Sequence, residues 1–197
     1  GGTEQMSPQY ENGYFFIAKY GINNPEEYYI INFNEQSPQA VKINFPSADS
    51  NASPSSKTYA GDGKFYISYQ KNNNDYNTKT IYLLDTTTDL VNNGLNVSEV
   101  FTTSSRADFL THASNGKLYY NNEYGNNNDT NIYVYDPVTG VESSIAAPSG
   151  ADSPILLSSY GNTVEMNGNL FIRYNFSSYS IDNVKKRLYK LNISDNS

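Results

Sequence analysis

The chain has 197 residues, enough for one domain with a real hydrophobic core, and no Cys, which excludes disulfides, thiol nucleophiles and Cys-ligated metals. Its formal charge of -7 argues against a nucleic-acid partner and against anionic membrane surfaces, because both need a basic face. No stretch approaches the roughly 18–20 apolar residues of a membrane span, so no membrane insertion is expected.

Aromatic and β-branched residues fall in short runs, and Asn, Ser, Thr and Gly fill the intervals. The first pattern favours strands and the second favours turns, so the chain reads as all-β. In chain order, one phrase recurs. Its first copy is Asn12-Gly13-Tyr14-Phe15-Phe16-Ile17, followed by Tyr28-Tyr29-Ile30-Ile31-Asn32. The second is Asp62-Gly63-Lys64-Phe65-Tyr66-Ile67, followed by Ile81-Tyr82-Leu83-Leu84-Asp85. The third is Asn115-Gly116-Lys117-Leu118-Tyr119-Tyr120, followed by Ile132-Tyr133-Val134-Tyr135-Asp136. The fourth is Asn167-Gly168-Asn169-Leu170-Phe171-Ile172, followed by Leu188-Tyr189-Lys190-Leu191-Asn192. The spacing is roughly 50 residues, the size of a four-stranded propeller blade.

Asn-Gly and Asp-Gly favour two-residue hairpin turns, because both residues must take positive φ. A strand a is therefore expected before each pair, ending near Tyr10, Ala60, His112 and Glu165, and a strand b after it. Strand c carries the repeated Tyr29, Tyr82, Tyr133 and Tyr189, of which Tyr82 and Tyr133 are predicted as buried core aromatics, and closes on Asn or Asp three residues later. That closing residue is expected to cap the following turn through its side chain. A less apolar strand d follows at Ala40–Phe45, Ser98–Phe101 and Val141–Ile145, with none after the fourth copy. Strands b and c are nearly continuous in apolar residues, which predicts cover on both faces and hence radially stacked sheets.

The architecture predicted is a β-propeller or propeller fragment with repeats at approximately 5–48, 56–104, 107–147 and 155–197. It is either a single domain over residues 1–197 or, the favoured reading, part of a larger ring. The start at Gly1-Gly2 suggests a processed or excised form.

The third copy, Gly116-Lys117-Leu118-Tyr119-Tyr120 with Ile132-Tyr133-Val134-Tyr135-Asp136-Pro137-Val138-Thr139-Gly140, resembles the core of kelch-like and quinoprotein-like propeller repeats. The kelch Gly-Gly pair after strand b and the Trp after strand c are missing, and so are the docking Trp residues of quinoprotein propellers. The resemblance implies a fold and no activity.

Several residues carry candidate chemistry. His112 is the only His, and metal or catalytic work is set against a partly buried polar side chain, because zinc sites usually need three or four ligands. The b–c loops Asn72, Asn73, Asn74, Asp75, Tyr76, Asn77 and Asn126, Asn127, Asn128, Asp129, Thr130, Asn131 are Asn-rich. Their oxygens could hold calcium, but one carboxylate per loop is few, and Asn suits turns on its own account. No other cofactor is expected. Glu11, Asp62 and Glu165 flank a–b turns, where paired carboxylates could cleave a glycosidic bond. Tyr20, Tyr69, Tyr76, Tyr124, Tyr174 and Tyr179 lie at or near the b–c loops, where exposed rings beside amides resemble a recognition surface. With 19 Tyr in the chain, some must be exposed in any case.

The expectation is a non-catalytic, extracellular or cell-surface module that binds a protein or glycan through the b–c rim. One alternative is an assembly subunit that packs with further blades or other chains. The other is a glycan-active hydrolase.

Overall fold

The computed structural model describes residues 9–19, 27–46, 53–70, 78–87, 94–105, 107, 109–121, 130–149, 153–156, 165–176 and 185–196. Among the described residues every regular element is a β-strand. The chain forms two compact units, Gly1–Ser104 and Ser105–Ser197.

In the first unit, β1 (Gln9–Glu11), β2 (Tyr14–Lys19), β3 (Glu27–Asn32) and β4 (Ala40–Asn44) form an antiparallel meander. A second meander comprises β5 (Ser53–Gly61), β6 (Lys64–Gln70), β7 (Thr80–Asp85) and β8 (Leu95–Thr102). These are strands a to d of the first two copies. Their outer strands join in parallel through Ile43↔Leu95 and Asn44↔Asn96, giving one eight-stranded sheet. Gly94 makes that junction possible: its φ is 91°, and a Cβ there would run into the Lys42 carbonyl oxygen.

In the second unit, β9 (Phe109–His112), β10 (Leu118–Asn121), β11 (Ile132–Asp136) and β12 (Val141–Ile145) form the third meander. The fourth sheet is β13 (Ser153–Leu156), β14 (Glu165–Met166), β15 (Asn169–Phe176) and β16 (Lys185–Asn192). Strand a of this copy is split: β14 pairs with the start of β15 and β13 with its far end.

The repeat anchors meet in space. The residue after the turn glycine pairs across the sheet with the closing Asn or Asp: Tyr14↔Asn32, Lys64↔Asp85 and Asn169↔Asn192. The next backbone N–H then donates to the glycine carbonyl, Phe33 to Gly13 at 2.8 Å, Thr86 to Gly63 at 3.0 Å and Ile193 to Gly168 at 3.1 Å. In the third copy Pro137 stands at that position and has no N–H to donate. The closing side chain caps its turn in all four copies. Asn32 Oδ1 accepts from Asn34 N at 3.0 Å, and Asp85 Oδ1 from Thr87 N at 2.9 Å. Asp136 Oδ1 accepts from Val138 N at 2.9 Å, and Asn192 Oδ1 from Ser194 N at 3.0 Å.

Three a–b turns have the expected pair of positive φ values: Asn12 and Gly13, Asp62 and Gly63, Asn167 and Gly168. The third corrects the expectation. Only Gly116 is positive there, at 79°, and Gly116 N donates to Ala113 O while Ala113 N donates to Lys117 O. This is a three-residue loop through Ser114, Asn115 and Gly116, a tight turn closed by a left-handed glycine. The added residue leaves Asn115 free of the left-handed region and turns its amide to other use.

The core forms between sheet faces within each unit. In the first, Tyr14, Phe16, Tyr28 and Ile30 of the first meander pack against Phe65, Ile67 and Leu84 of the second. Phe65 meets Tyr14 and Phe16 edge-on at 5.2 and 4.9 Å, a favoured aromatic geometry. In the second unit, Tyr119, Ile132 and Val134 pack with Leu170, Ile172 and Leu191. The expected cover on both faces is seen in part. Ile81, Tyr82 and Leu84 are all buried, but in β3 only alternate residues are. Of the two Tyr expected in the core, Tyr82 is fully buried and Tyr133 is only half-buried, which corrects the expectation at Tyr133; Tyr29 and Tyr189 are half-buried as well.

Candidate functional site: a polar groove at the a–b turns of the second unit

The extra residue in the third a–b loop brings Ser114 and Asn115 to the fourth sheet. Asn115 Nδ2 donates to Ile193 O at 2.7 Å and to the Tyr119 hydroxyl at 3.0 Å, and Asn115 Oδ1 accepts from Lys117 N at 3.1 Å. The Tyr119 hydroxyl donates in turn to Asn196 Oδ1 at 3.1 Å. Burial of this phenol raises its pKa, against the opposing effect of the Asn115 amide. Ser114 N donates to Glu165 Oε2 at 2.7 Å, and Ser114 Oγ donates to Glu165 Oε1. Two turns and the end of β16 are thereby tied together.

A groove of about 530 Å³ opens beside this tie, lined by Ser114, Asn115, Asn167, Gly168, Asn169, Lys190, Asn192, Ile193 and Ser194. Among the described residues its polar lining is amide and hydroxyl, with one ammonium, from Lys190, and no carboxylate. The amides are fixed at one end: Asn169 Nδ2 donates to Asn167 O at 2.8 Å, and Asn192 Oδ1 accepts the Ser194 hydroxyl at 2.8 Å. Each amide carries both a donor and an acceptor, so the groove matches a ligand rich in hydroxyls. Lys190 stands where the other copies have Ile30, Leu83 and Val134, a departure from the repeat confined to this sheet. In the first unit, a recess lined by Tyr14, Asn32, Glu35 and Thr86 holds about 20 Å³, room for about one water molecule.

His112 lies at the end of β9, two residues before Ser114. It is half-buried, and desolvation pulls its pKa below the ordinary 6.5 while the Glu165 carboxylate pushes it back up. No group of three or more His, Asp or Glu side chains that could hold a metal occurs among the described residues.

The b–c rim expected to bind lies almost wholly outside the described residues. Asn72, Asn73, Asn74, Asp75, Tyr76 and Asn77 do so, as do Tyr124, Asn126, Asn127, Asn128 and Asp129, and Tyr20 and Tyr179. Tyr174 lies in β15, at the loop end of that strand. Tyr69 is a correction: it is buried, stacked on Phe45 with ring centroids 4.5 Å apart, and offers no face to a ligand. Strand β6 runs to Gln70, one residue past it, so its ring belongs to the sheet and not to the loop. Of the flanking acids, Glu165 is engaged by Ser114, and Asp62 is exposed in its turn with φ 48°. The groove lies at the opposite end of the strands from the b–c loops. Sequence reasoning passed over it because its Asn residues were already explained as turn formers.

No protein-family model matches the chain, and no curated protein does. Among solved structures, it is similar to TolB from Acinetobacter baumannii at 15% identity and a TM-score of 0.43, over 85% of this chain and 39% of that one. It is also similar to cobalt-substituted Synechocystis ACO, at 12% identity and a TM-score of 0.47, over 93% of this chain and 46% of that one. An ACO/RPE65 chimera matches at 14% identity and a TM-score of 0.48, over 93% and 46%. The chain thus spans less than half the length of each. The expectation of a non-catalytic chain is not kept: at 12–15% identity and TM-scores below 0.5 these likenesses carry no role over to this chain, catalytic or otherwise.

Proposed function

We propose that the protein is an extracellular or cell-surface module of β-propeller type, built from four blade repeats, that binds a glycan through the groove at the a–b turns of its second unit. The kelch-like and quinoprotein-like resemblance of the repeats supports the propeller reading, as does the packing of one meander against the next within each unit. One observation carries the ligand class. The groove presents amides and hydroxyls from Ser114, Asn115, Asn167, Asn169, Asn192 and Ser194, already anchored on one side by the fold. Anchored amides lose little entropy on binding and can each give and take a hydrogen bond with sugar hydroxyls.

A glycan array on the purified chain tests this. The expected result is a small set of related ligands whose binding falls about fivefold to tenfold in Asn169→Ala and Lys190→Ala, the loss of about one hydrogen bond each. An array without hits, or hits that ignore both substitutions, contradicts the reading. Capture of a protein ligand sensitive to the same substitutions would keep the groove and replace the ligand class.

A further inference from the structure

The two long strands of the fourth sheet carry charge opposite to that of the chain as a whole. The sequence has 13 Lys and Arg against 20 Asp and Glu. Strands β15 and β16 hold five of those cations, Arg173, Lys185, Lys186, Arg187 and Lys190, and every acid lies elsewhere. A patch of one sign sets the local potential whatever the net charge, so this sheet favours anions in a protein that otherwise repels them.

Strand alternation sorts the five positions. Leu170, Ile172 and Leu191 belong to the core shared with the third sheet. The opposite face takes the pairs Asn169↔Asn192, Phe171↔Lys190 and Arg173↔Leu188, and then Lys186. The groove lies at one end of this face, lined by Asn169, Asn192 and Lys190. Lys190 is exposed and Leu188 is 61% exposed, so solvent reaches the face beyond the groove. Arg173 stands across from Leu188, midway between Lys190 and Lys186. The three cationic positions therefore follow one another at about 6–7 Å, two strand residues at a time. A single small anion would need cations converging on one point. A row of them suits a chain that carries negative groups at intervals.

We propose that the ligand of the groove is a linear polyuronate, with one sugar in the groove and the following sugars along this face, their carboxylates spaced over positions 190, 173 and 186. This rests on the glycan reading above and narrows its ligand. Carboxylate is favoured over sulfate ester by the amides. A uronate keeps the ring hydroxyls that Asn169 and Asn192 can bond, whereas a sulfate ester is made from a hydroxyl and removes it. Phe171, half-buried and across from Lys190, adds an aromatic surface for the C–H face of a sugar ring.

Calorimetric titration of the full chain tests the proposal, with alginate oligomers, the same oligomers reduced at their carboxyls, and dextran sulfate. The alginate oligomers are expected to bind at least about tenfold more tightly than their reduced counterparts, and more weakly as salt rises. They also bind more tightly than dextran sulfate. Arg173→Gln, Lys186→Gln and Lys190→Gln each weaken binding about fivefold, whereas Arg187→Gln, on the opposite face, leaves it unchanged. The comparison of ligands on the wild-type chain holds even if a substitution unfolds the sheet. Reduced oligomers that bind as tightly as alginate overturn the polyuronate and leave the glycan groove standing. Dextran sulfate that binds as tightly overturns the choice of carboxylate. Losses no larger in the three variants than in Arg187→Gln overturn the placement along this face. If neither oligomer binds, the polyuronate falls, and the glycan reading falls with it only when neutral glycans fail as well.

Discussion

Tyr82 and Tyr133 occupy the same place in two copies of the repeat and differ in what surrounds them. Tyr82 is 1% exposed and meets Tyr69 edge-on at 5.7 Å, whereas Tyr133 is half-buried and stacked on Tyr120 at 5.2 Å. Truncation to Ala should therefore cost about 3–5 kcal/mol at Tyr82 and about half that at Tyr133, read by urea denaturation. Equal losses would mean that the two environments are alike. The sequence marks the Tyr as periodic but does not show how deep each one sits, because burial depends on which sheet covers the face. His112 is legible as a half-buried polar side chain, and its consequence is a pH dependence. Its folded pKa lies below the unfolded 6.5 because burial disfavours the charged form. The unfolded chain therefore binds the proton more readily. The stabilisation is present above about pH 6.5 and is lost as pH falls through the lower folded value. In His112→Gln, denaturation curves between pH 7 and 5 should show a smaller drop than wild type. An unchanged drop would assign the dependence to other groups.

At the scale of the element, the turn chemistry is the most legible part of the fold. The closing Asn or Asp caps its turn in every copy, and the Asp85 carboxyl is held below its usual range chiefly by the Thr87 hydroxyl. Replacing Asp85 or Asp136 with Ala should cost about 1 kcal/mol, the worth of a turn hydrogen bond, by thermal or chemical denaturation. Two features were hidden. The third a–b loop has three residues because Ser114 and Asn115 find partners in the fourth sheet, a tertiary effect that overrides the local Asn-Gly preference. The parallel β4–β8 junction depends on Gly94, which no turn pattern singles out. A side chain at Gly94 would strike a backbone carbonyl, whereas one at Gly116 would meet open space, though both have positive φ. Gly94→Ala should therefore destabilise more than Gly116→Ala, which should cost only the left-handed penalty of about 1–2 kcal/mol. If the order is reversed, the close approach at Lys42 is not the constraint.

Within each unit, the repeat specifies antiparallel meanders because its two anchors are cross-strand neighbours, so turn and register reinforce each other in the first, second and fourth copies. The groove was not legible. It depends on a loop from one copy reaching the next sheet, and its Asn residues look the same in sequence as Asn residues that only form turns. Lys190, which replaces an apolar residue at a repeated position, is the one signal that pointed there. Backbone amide NMR of the full chain, titrated with the best ligand from the glycan array, tests whether the groove is where that ligand binds. Saturable shifts centred on Ser114, Asn115, Asn167, Gly168, Asn192 and Ser194 are expected, with the first unit unchanged. Shifts confined to the b–c loops, or no saturable shift at all, would contradict it.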